Sequence, residues 1–241
     1  MQSTIELCPY CGNELRKQPI PSLGGGGTVH YMNVQCDCDG ARAARRAEYR
    51  ERRGDLLRMA WENTGVPRRY WDVRPDYDGL ERVRDGHGLY IYGSRGVGKT
   101  HSAAAILKAY VSRNTSEAGW CQARFISANR WLDEIHDAFG RRNVSAEDVF
   151  MRAAGTKLLV LDDFGKINSR ASEWSVGRLF RLVDERNSAM LPTIFTSKYS
   201  LSALADRFSA VDPETAGDMI SRIRETCERV EMTGEDRRLA G

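Results

Sequence analysis

Residues 93–100 read Gly-Ser-Arg-Gly-Val-Gly-Lys-Thr, which matches the spacing Gly-x-x-x-x-Gly-Lys-Ser/Thr. In such a loop the glycines let backbone N–H groups turn toward an anion, and the N-terminus of the following helix adds partial positive charge. Lys99 would reach the β- and γ-phosphates of a nucleotide, and the hydroxyl of Thr100 would bind Mg²⁺. The spacing therefore predicts a phosphate-binding loop.

The elements on both sides of this loop would position it. Gly88–Tyr92 is a short apolar run that predicts a buried strand, and the alanine-rich segment His101–Val111 predicts a helix. The alternative is a chance glycine-rich turn, which this strand–loop–helix context disfavours. The residues predicted to bind the nucleotide through this motif are Gly93, Ser94, Arg95, Gly96, Val97, Gly98, Lys99, Thr100 and His101.

A second segment, Lys157–Asp163, is a continuous apolar run that ends in two carboxylates. Buried parallel strands have this composition, and ligands of α/β sheets bind at the carboxyl ends of the strands. We expect Asp162 to join the Mg²⁺ shell and Asp163 to orient the attacking water. The alternative is a pair of solvated turn residues, which the phosphate loop makes the weaker interpretation.

Four of the six cysteines lie in the first 38 residues, as Cys8-x-x-Cys11 and Cys36-x-Cys38. Four thiolates complete a tetrahedral Zn²⁺ shell, which is typical of structural sites. His30 lies between the pairs and could replace one ligand. A disordered tail with unbound thiols is the alternative. Residues 1–45 contain few large apolar side chains, so we expect this module to need its metal to fold.

Composition limits the remaining classes of protein. The chain has 241 residues, of which 41% are hydrophobic. It contains no run of eighteen apolar residues, so no membrane-spanning helix is predicted. The N-terminus lacks a signal-peptide pattern, so we expect a cytoplasmic protein. The net charge of +3 says little about nucleic acid. In a reducing compartment Cys121 and Cys227 are expected to be core thiols.

The segment Ala41–Arg53 contains six arginines and two glutamates and predicts a helix that continues to Trp61. Its arginines could contact DNA phosphates or an acidic partner, or could simply be solvated. The predicted organisation is a zinc-binding helicase-interaction module at 1–45, a basic linker helix at 46–65 and an ATPase domain at 66–241.

The rest of the chain alternates strands with helices, which predicts an α/β fold with a parallel sheet. Further strands are predicted at Ala123–Ser127, Leu191–Ser197 and Cys227–Met232. Further helices are predicted at Asn129–Phe139, Glu173–Arg186 and Ala216–Glu225. The first of these helices is amphipathic, and the side chains that we expect in the core are Trp131, Leu132, Ile135 and Phe139.

Five segments occur in an order that resembles the DnaC/DnaI-type AAA+ replicative helicase loaders, of a phage or prophage kind. They are Gly93–Thr100, Lys157–Gly165, Leu191–Ser197, Ile220–Ile223 and Gly234–Arg238. The resemblance covers about residues 62–241, and the cysteine module resembles the zinc-bearing N-terminal domain of the DnaI-like branch. It implies an AAA+ P-loop ATPase with little or no C-terminal lid, because only nine residues follow Met232.

The resemblance also implies roles for individual residues. Lys99 and Thr100 match Walker A, and Asp162 matches the Mg²⁺ residue of Walker B. Asp163 stands where many AAA+ enzymes have a longer glutamate, which implies slow hydrolysis or a differently placed water. The pair at 196–197 matches sensor 1; Ser197 is the candidate and Thr196 the alternative.

Two arginines complete the implied site. Arg222 matches an arginine finger that acts on a neighbour's ATP, which implies a homo-oligomeric ring or spiral. Arg238 matches a sensor 2-like arginine at the nucleotide, with Arg237 as the alternative. Lys198 replaces the asparagine that is common in the family. For the two C-terminal arginines, a plain surface charge is the competing interpretation.

The implied activity is ATP-dependent loading of a hexameric replicative helicase onto single-stranded DNA, with ATP, Mg²⁺ and Zn²⁺ as cofactors. A transposition helper ATPase of the IstB type shares this core, although the cysteine module favours the loader. A third hypothesis is a non-hydrolysing zinc adaptor, against which the complete set Lys99, Thr100, Asp162 and Arg222 argues.

Overall fold

The structure is a computed structural model that describes residues 6–19, 31–139, 145–166 and 172–236. His30, Arg237 and Arg238, for which the sequence suggests roles, lie outside the described residues. The chain divides into two units, Met1–Asp55 and Leu56–Gly241. The division falls within one helix, α1, which spans Asp39–Asn63.

The smaller unit has little apolar core. Two three-residue strands, β1 (Lys17–Pro19) and β2 (Tyr31–Asn33), pair antiparallel. Among the described residues of this unit, the buried hydrophobic side chains are those of Cys8 and Ala41. A core of this size cannot offset the conformational entropy of folding, so another interaction must stabilise the unit.

The larger unit is built on a five-stranded sheet. Its strands are β3 (Gly88–Gly93), β4 (Ala123–Ser127), β5 (Leu158–Asp162), β6 (Thr193–Ser197) and β7 (Cys227–Met232). They lie in the order β4-β5-β6-β3-β7, and each neighbouring pair is parallel. All carboxyl ends therefore meet at one end of the sheet, where the phosphate loop, Asp162, Asp163, Thr196 and Ser197 lie.

Helices cover both faces of this sheet. After α1 they are α2 (Tyr77–Glu81), α3 (Lys99–Asn114), α4 (Ala128–Ala138), α5 (Ala146–Ala154), α6 (Glu173–Ser188), α7 (Leu201–Ser209) and α8 (Pro213–Thr226). Alternate strand residues enter different cores: Leu158 and Val160 pack with α3, whereas Leu159 and Leu161 pack with α4 to α8. Burial on both faces explains the unbroken apolar run of β5.

Polar residues begin several of the helices. Ser145 and Ser172 form capping boxes with the residues three positions later, and the side chain of Asp212 accepts the N–H of Thr215. Helices α2 and α5 were not predicted from the sequence. Helix α5 follows a capping serine and buries Val149 and Phe150, a signal that could have identified it.

The prediction for Phe139 was wrong. Helix α4 ends at Ala138, and Phe139 is 62% exposed, whereas Trp131, Leu132 and Ile135 are buried as predicted. The ring of Phe139 lies 6.4 Å, centroid to centroid, from that of Trp174 at the start of α6. A helical period places a residue on a face, but the helix must extend far enough to bury it.

A buried arginine joins α5, α6 and β6. The guanidinium of Arg186 donates to the Thr193 hydroxyl, to Pro192 O and to three carbonyls at the end of α5, those of Ala153, Ala154 and Thr156. Burial lowers the pKa of Arg186 to about 9. Carbonyls at a helix C-terminus carry partial negative charge, which explains how a cation without a carboxylate partner among these contacts is held here.

Candidate nucleotide-binding site

The phosphate loop connects β3 to α3. Gly98 begins the helix with φ of 102°, and Gly96 has φ of 77°, a backbone region that favours glycine. A Cβ atom on Gly96 would lie 1.7 Å from Oδ1 of Asp236, so a side chain there would also displace that carboxylate. The ammonium of Lys99 donates to the carbonyls of Gly93 at 2.9 Å and Ser94 at 2.6 Å.

Three elements meet at one carboxylate oxygen. The Thr100 hydroxyl donates to Oδ1 of Asp162 at 2.9 Å, and the Thr196 hydroxyl donates to the same atom at 2.5 Å. Thr196 also accepts the backbone N–H of Asp163 at 3.1 Å. The structure therefore brings together the first turn of α3 and the ends of β5 and β6.

Asp162 is 9% exposed, and its burial raises the pKa of its carboxyl group above the ordinary aspartate value. Hydrogen bonds from Thr196 and Thr100 oppose this rise, while the charge of Asp163 adds to it. A cation near Asp162 would relieve the cost of its buried negative charge. A carboxylate beside a threonine hydroxyl is an oxygen donor set that suits Mg²⁺.

Asp163 differs sharply from its neighbour. It has a positive φ of 56°, and its side chain is half exposed and pairs with Lys166 at 3.6 Å. The chain turns at Asp163 directly after β5, so adjacent carboxylates point into different surroundings. Asp163 lines the cleft described next, whereas Asp162 lies beneath it, bonded to Thr100.

A cleft of about 430 Å³ opens at this edge of the sheet. Its described lining residues are Tyr70, Arg95, Gly96, Gly98, Lys99, Thr100, His101, Asp163, Phe164, Lys166 and Lys198. Four of these are cations and one is an acid, which suits a polyphosphate. The volume falls in the range of small-molecule pockets.

Several of these lining residues were not predicted to be in the site. Tyr70 comes from a 3₁₀ turn, Arg68–Tyr70, ahead of β3, and Lys166 and Lys198 follow β5 and β6. The position of the two lysines, just after parallel strands, is a signal that could have identified them. The side chain of Val97, a residue of the phosphate loop, is buried (2% exposed), so a contact with the nucleotide would come from its backbone N–H.

The two hydroxyls of the expected sensor pair have different partners. Thr196 contacts Asp162, whereas the buried Ser197 hydroxyl donates to the carbonyl of Phe164 at 2.7 Å and accepts the N–H of Tyr199 at 3.1 Å. Alternate residues of a strand point to opposite sides, so only one of the pair can face Asp162. The geometry favours Thr196 over Ser197.

Arg222 lies on α8, where its guanidinium pairs with Asp184 of α6 at 3.0 Å and remains partly exposed. Among the described residues that line the cleft, Arg222 does not occur. Any action of Arg222 on a nucleotide would therefore be on that of another chain. The role of Arg238 concerns a residue beyond the described range.

The cysteine cluster is the second polar site. The sulfur atoms of Cys8, Cys11, Cys36 and Cys38 all lie within 4.8 Å of one another. Cys8 Sγ is 3.8 Å from Cys38 Sγ, and Cys11 Sγ is 3.6 Å from Cys36 Sγ. Tetrahedral zinc with Zn–S bonds of about 2.3 Å requires sulfur separations of about 3.8 Å, so the four residues fit the metal.

The pKa values of two cysteines of this cluster are shifted in opposite directions. A hydrogen bond from the backbone of Tyr10 is the main cause that lowers the pKa of Cys8 to about 7. At Cys11 a backbone hydrogen bond from Asn13 acts in the same direction, but burial and the neighbouring sulfurs outweigh it and raise the pKa to about 12. The N–H of Ala41 donates to Cys38 Sγ at 3.4 Å. Outside the cluster, burial raises the pKa of Cys121 to about 11 and that of Cys227 to about 12. These two remain thiols, as expected for cysteines of the core.

The parallel sheet, the phosphate loop and the acidic end of β5 define a P-loop ATP-binding protein of the AAA+ class. Residues 63–241 match the family described as IstB-like ATP binding protein. The chain belongs to this family. The expected α/β AAA+ fold and the resemblance to the loader branch are confirmed.

Relatives extend this assignment. The chain is 26% identical over 160 residues to the replicative helicase loader DnaI of Bacillus subtilis (strain 168), covering 64% of this chain but 48% of that protein. The crystal structure of the DnaI is 25% identical and covers 65% of this chain and 80% of that chain, with a TM-score of 0.54. That of the DnaC helicase loader is 23% identical, covering 69% and 100%, with the same score, and shows the fold alone.

The chain spans about half the length of the curated relative that it matches. None of the helices in the described ranges has the length and apolar composition needed to cross a membrane.

Proposed function

We propose that this protein is an ATPase that loads a hexameric replicative helicase onto single-stranded DNA. The observation that carries the proposal is the joining of Thr100, Asp162 and Thr196 beneath a cation-lined cleft, in a chain similar to a helicase loader. ATP binding would assemble the protein with its partners, and hydrolysis would release them.

The geometry supports a role for each residue within the site. Backbone N–H groups of residues 93–98 and the Lys99 ammonium would hold the phosphates, aided by Arg95, Lys166 and Lys198 at the rim of the cleft. Thr100 and Asp162 would hold Mg²⁺, which neutralises phosphate charge when bound. Asp163, exposed to the cleft, would orient the attacking water, and Thr196 would position Asp162 and report on the γ-phosphate.

The arginine finger would come from a second copy of the chain. Arg222 is partly exposed and paired only with Asp184 in the contacts described, so a neighbour's nucleotide could recruit it at modest cost, because exposed ion pairs contribute little. This arrangement makes hydrolysis depend on assembly, and we propose a homo-oligomeric ring or spiral.

The zinc-binding module, residues 1–45, would engage the helicase, and residues 46–65 would link it to the ATPase domain, 66–241. Support for the module comes from the fit of four sulfurs to zinc and from its small apolar core. Because the metal would order the surface of this module, its loss should abolish helicase binding before it affects ATP binding.

Single-stranded DNA would bind at an aromatic cluster formed by the exposed Phe139 and His136 and the partly buried Trp174. The ring of Trp174 contacts both other rings, at 6.4 Å and 6.1 Å between centroids, and the guanidinium of Arg178 lies 5.9 Å from its centre. Aromatic rings beside a cation are the elements with which proteins stack bases and hold phosphates.

Native mass spectrometry with the replicative helicase of the host, with and without ATP, tests the proposal. An ATP-dependent assembly of defined stoichiometry is expected. Failure to form any complex, in a protein that still hydrolyses ATP, would instead support a transposition helper ATPase. The match to the IstB-like family favours that role as the second candidate.

A mixing experiment tests the finger. Lys99→Ala and Arg222→Ala should each abolish turnover, while Arg224→Ala, a matched charge removal on the same helix, should not. A mixture of the first two variants should recover activity, because one chain keeps a complete cleft and the other supplies Arg222. A mixture as inactive as its components would contradict action between chains.

A further inference from the structure

A groove of about 350 Å³ lies at the amino ends of β4 and β5, whereas the nucleotide cleft lies at the carboxyl ends of the strands. Its described lining includes Asn63, Trp120, Gln122, Arg124 and Arg152. Trp120 is 72% exposed, the largest exposed fraction among the large hydrophobic side chains described.

Two cations face this groove without an acidic residue in its described lining. Arg124, at the start of β4, is partly buried; burial lowers the pKa of its guanidinium, the charge of Arg152 lowers it further, and Glu134 opposes. Partial burial and the positive charge of Arg152 both disfavour the charged form of Arg124, and an anion bound in the groove that both residues line would offset that cost.

The backbone of α5 holds Arg152 in place. Its Nε donates to the carbonyl of Asp148 at 3.2 Å, one helical turn earlier. The nearby carboxylate of Asp148 accepts the N–H of Ser145 in a capping box and is therefore already bonded. Arg152 attracts Asp148 electrostatically, but no ion pair between them is among the close charge contacts of the described residues.

We propose that this groove binds a single strand of nucleic acid, with one base stacked on Trp120 and a phosphate between Arg124 and Arg152. A flat exposed ring beside paired arginines is the combination with which proteins bind single strands without reading their sequence. Gln122 and Asn63 at the rim can donate to base or sugar oxygens. An acidic polypeptide could satisfy the arginines but would not need the planar face of the indole.

This surface goes beyond the proposed ATPase function. It shares no residue with the nucleotide cleft or with the cluster of Phe139, Trp174 and His136. A strand held here would be bound in every nucleotide state, because the groove lies away from the carboxyl ends of the strands. The Lys99→Ala variant should therefore keep this binding while losing turnover.

Fluorescence anisotropy of a labelled oligothymidylate of about 20 nucleotides, titrated with the full chain, tests the proposal. Trp120→Ala should weaken binding by about fivefold to 100-fold, the range for loss of one stacked base. Replacing both Arg124 and Arg152 by glutamine should weaken it further and reduce the slope of log K against log salt by about 0.7, from the loss of one phosphate contact.

The matched control is Arg229→Gln, which removes an exposed charge from β7, the other edge strand, and should change neither affinity nor slope. Arg124→Lys and Trp120→Phe keep charge and ring, and should restore most of the affinity in a folded protein. Saturation with oligonucleotide should quench a component of tryptophan emission that Trp120→Phe lacks.

Oligonucleotide affinity that is unchanged in Trp120→Ala and in the double glutamine variant would overturn the proposal. Loss of polyglutamate binding in these variants, with DNA binding intact, would assign the groove to an acidic protein instead. A loss confined to Phe139→Ala would leave the aromatic cluster as the DNA surface and refute the groove.

Discussion

The nucleotide cleft and the cysteine cluster are both small polar sites, but they relate to the fold in opposite ways. In the cleft, Thr100 and Thr196 lie 62 and 34 residues from Asp162 in sequence, and the parallel sheet brings the three together. In the cluster, two short cysteine pairs meet in a unit whose described part buries few apolar side chains. The fold of the larger unit creates the nucleotide cleft, whereas metal binding at the cysteine cluster must stabilise the fold of the smaller unit.

The largest expected effect is that of metal removal, which should disrupt the cysteine cluster but not the nucleotide cleft. Cys8→Ser should remove zinc, about one per chain, and unfold the smaller unit, because zinc binding to such sites contributes about 10 kcal/mol or more. ATP binding by the larger unit should persist. Metal analysis together with limited proteolysis measures this outcome. A metal-free protein with an intact, protease-resistant smaller unit would contradict the conclusion that this unit needs its metal to fold.

The next effect concerns the sensor pair. Thr196→Val removes the hydroxyl that contacts Asp162 and should lower kcat by about 100-fold, a loss of about 3 kcal/mol, comparable to losing one precisely placed hydrogen-bond donor. Ser197→Ala should leave kcat within a few-fold of the original, since its hydroxyl serves Phe164 and Tyr199. Steady-state ATPase assays compare the two. The reverse ranking would restore Ser197 as the sensor.

The next effect concerns the stability of the larger unit, to which the buried Arg186 contributes. Arg186→Met removes the donor to four buried carbonyls and should destabilise the larger unit by about 2–3 kcal/mol, because unsatisfied buried acceptors are costly. Thermal denaturation should show a decrease of several degrees in Tm. Arg178→Met, on the same helix but partly exposed, is the control and should change Tm little.

The smallest expected effect depends on pH and is an increase in Tm, whereas Arg186→Met should decrease Tm. Because burial raises the pKa of Asp162, this carboxyl stabilises the fold most below the ordinary aspartate pKa of about 4 and loses that contribution as pH rises through its folded value. In metal-free buffer, Asp162→Asn should therefore raise Tm by a few degrees at pH 7 and by nothing near pH 3.5. Asp163→Asn, at an exposed position, is the control.

An unchanged or lower Tm for Asp162→Asn at pH 7 would show that the bonds from Thr100 and Thr196 outweigh the cost of burying the charge. In either case the variant should lose Mg²⁺-dependent turnover. An unchanged or lower Tm would thus mean that the sheet positions Asp162 at no net cost to the stability of the fold.

Much of the larger unit was predictable because its signals are local. The apolar run of β5 and the loop at 93–100 are each recognised within about ten residues. The exposure of Phe139 was missed, because the extent of a helix depends on what it packs against. The buried Arg186 was also missed, since its acceptors come from two other segments.

The sequence by itself determined the class of the protein, the phosphate loop, the acid that meets it and four cysteines with metal-ligand spacing, because these are chemical patterns of short range. Only the tertiary structure decided that Thr196 rather than Ser197 faces Asp162, and that Lys166 and Lys198 line the cleft. It also decided that Trp120, Arg124 and Arg152 share one groove. Contacts between distant segments depend on strand order and register, and no local pattern encodes them.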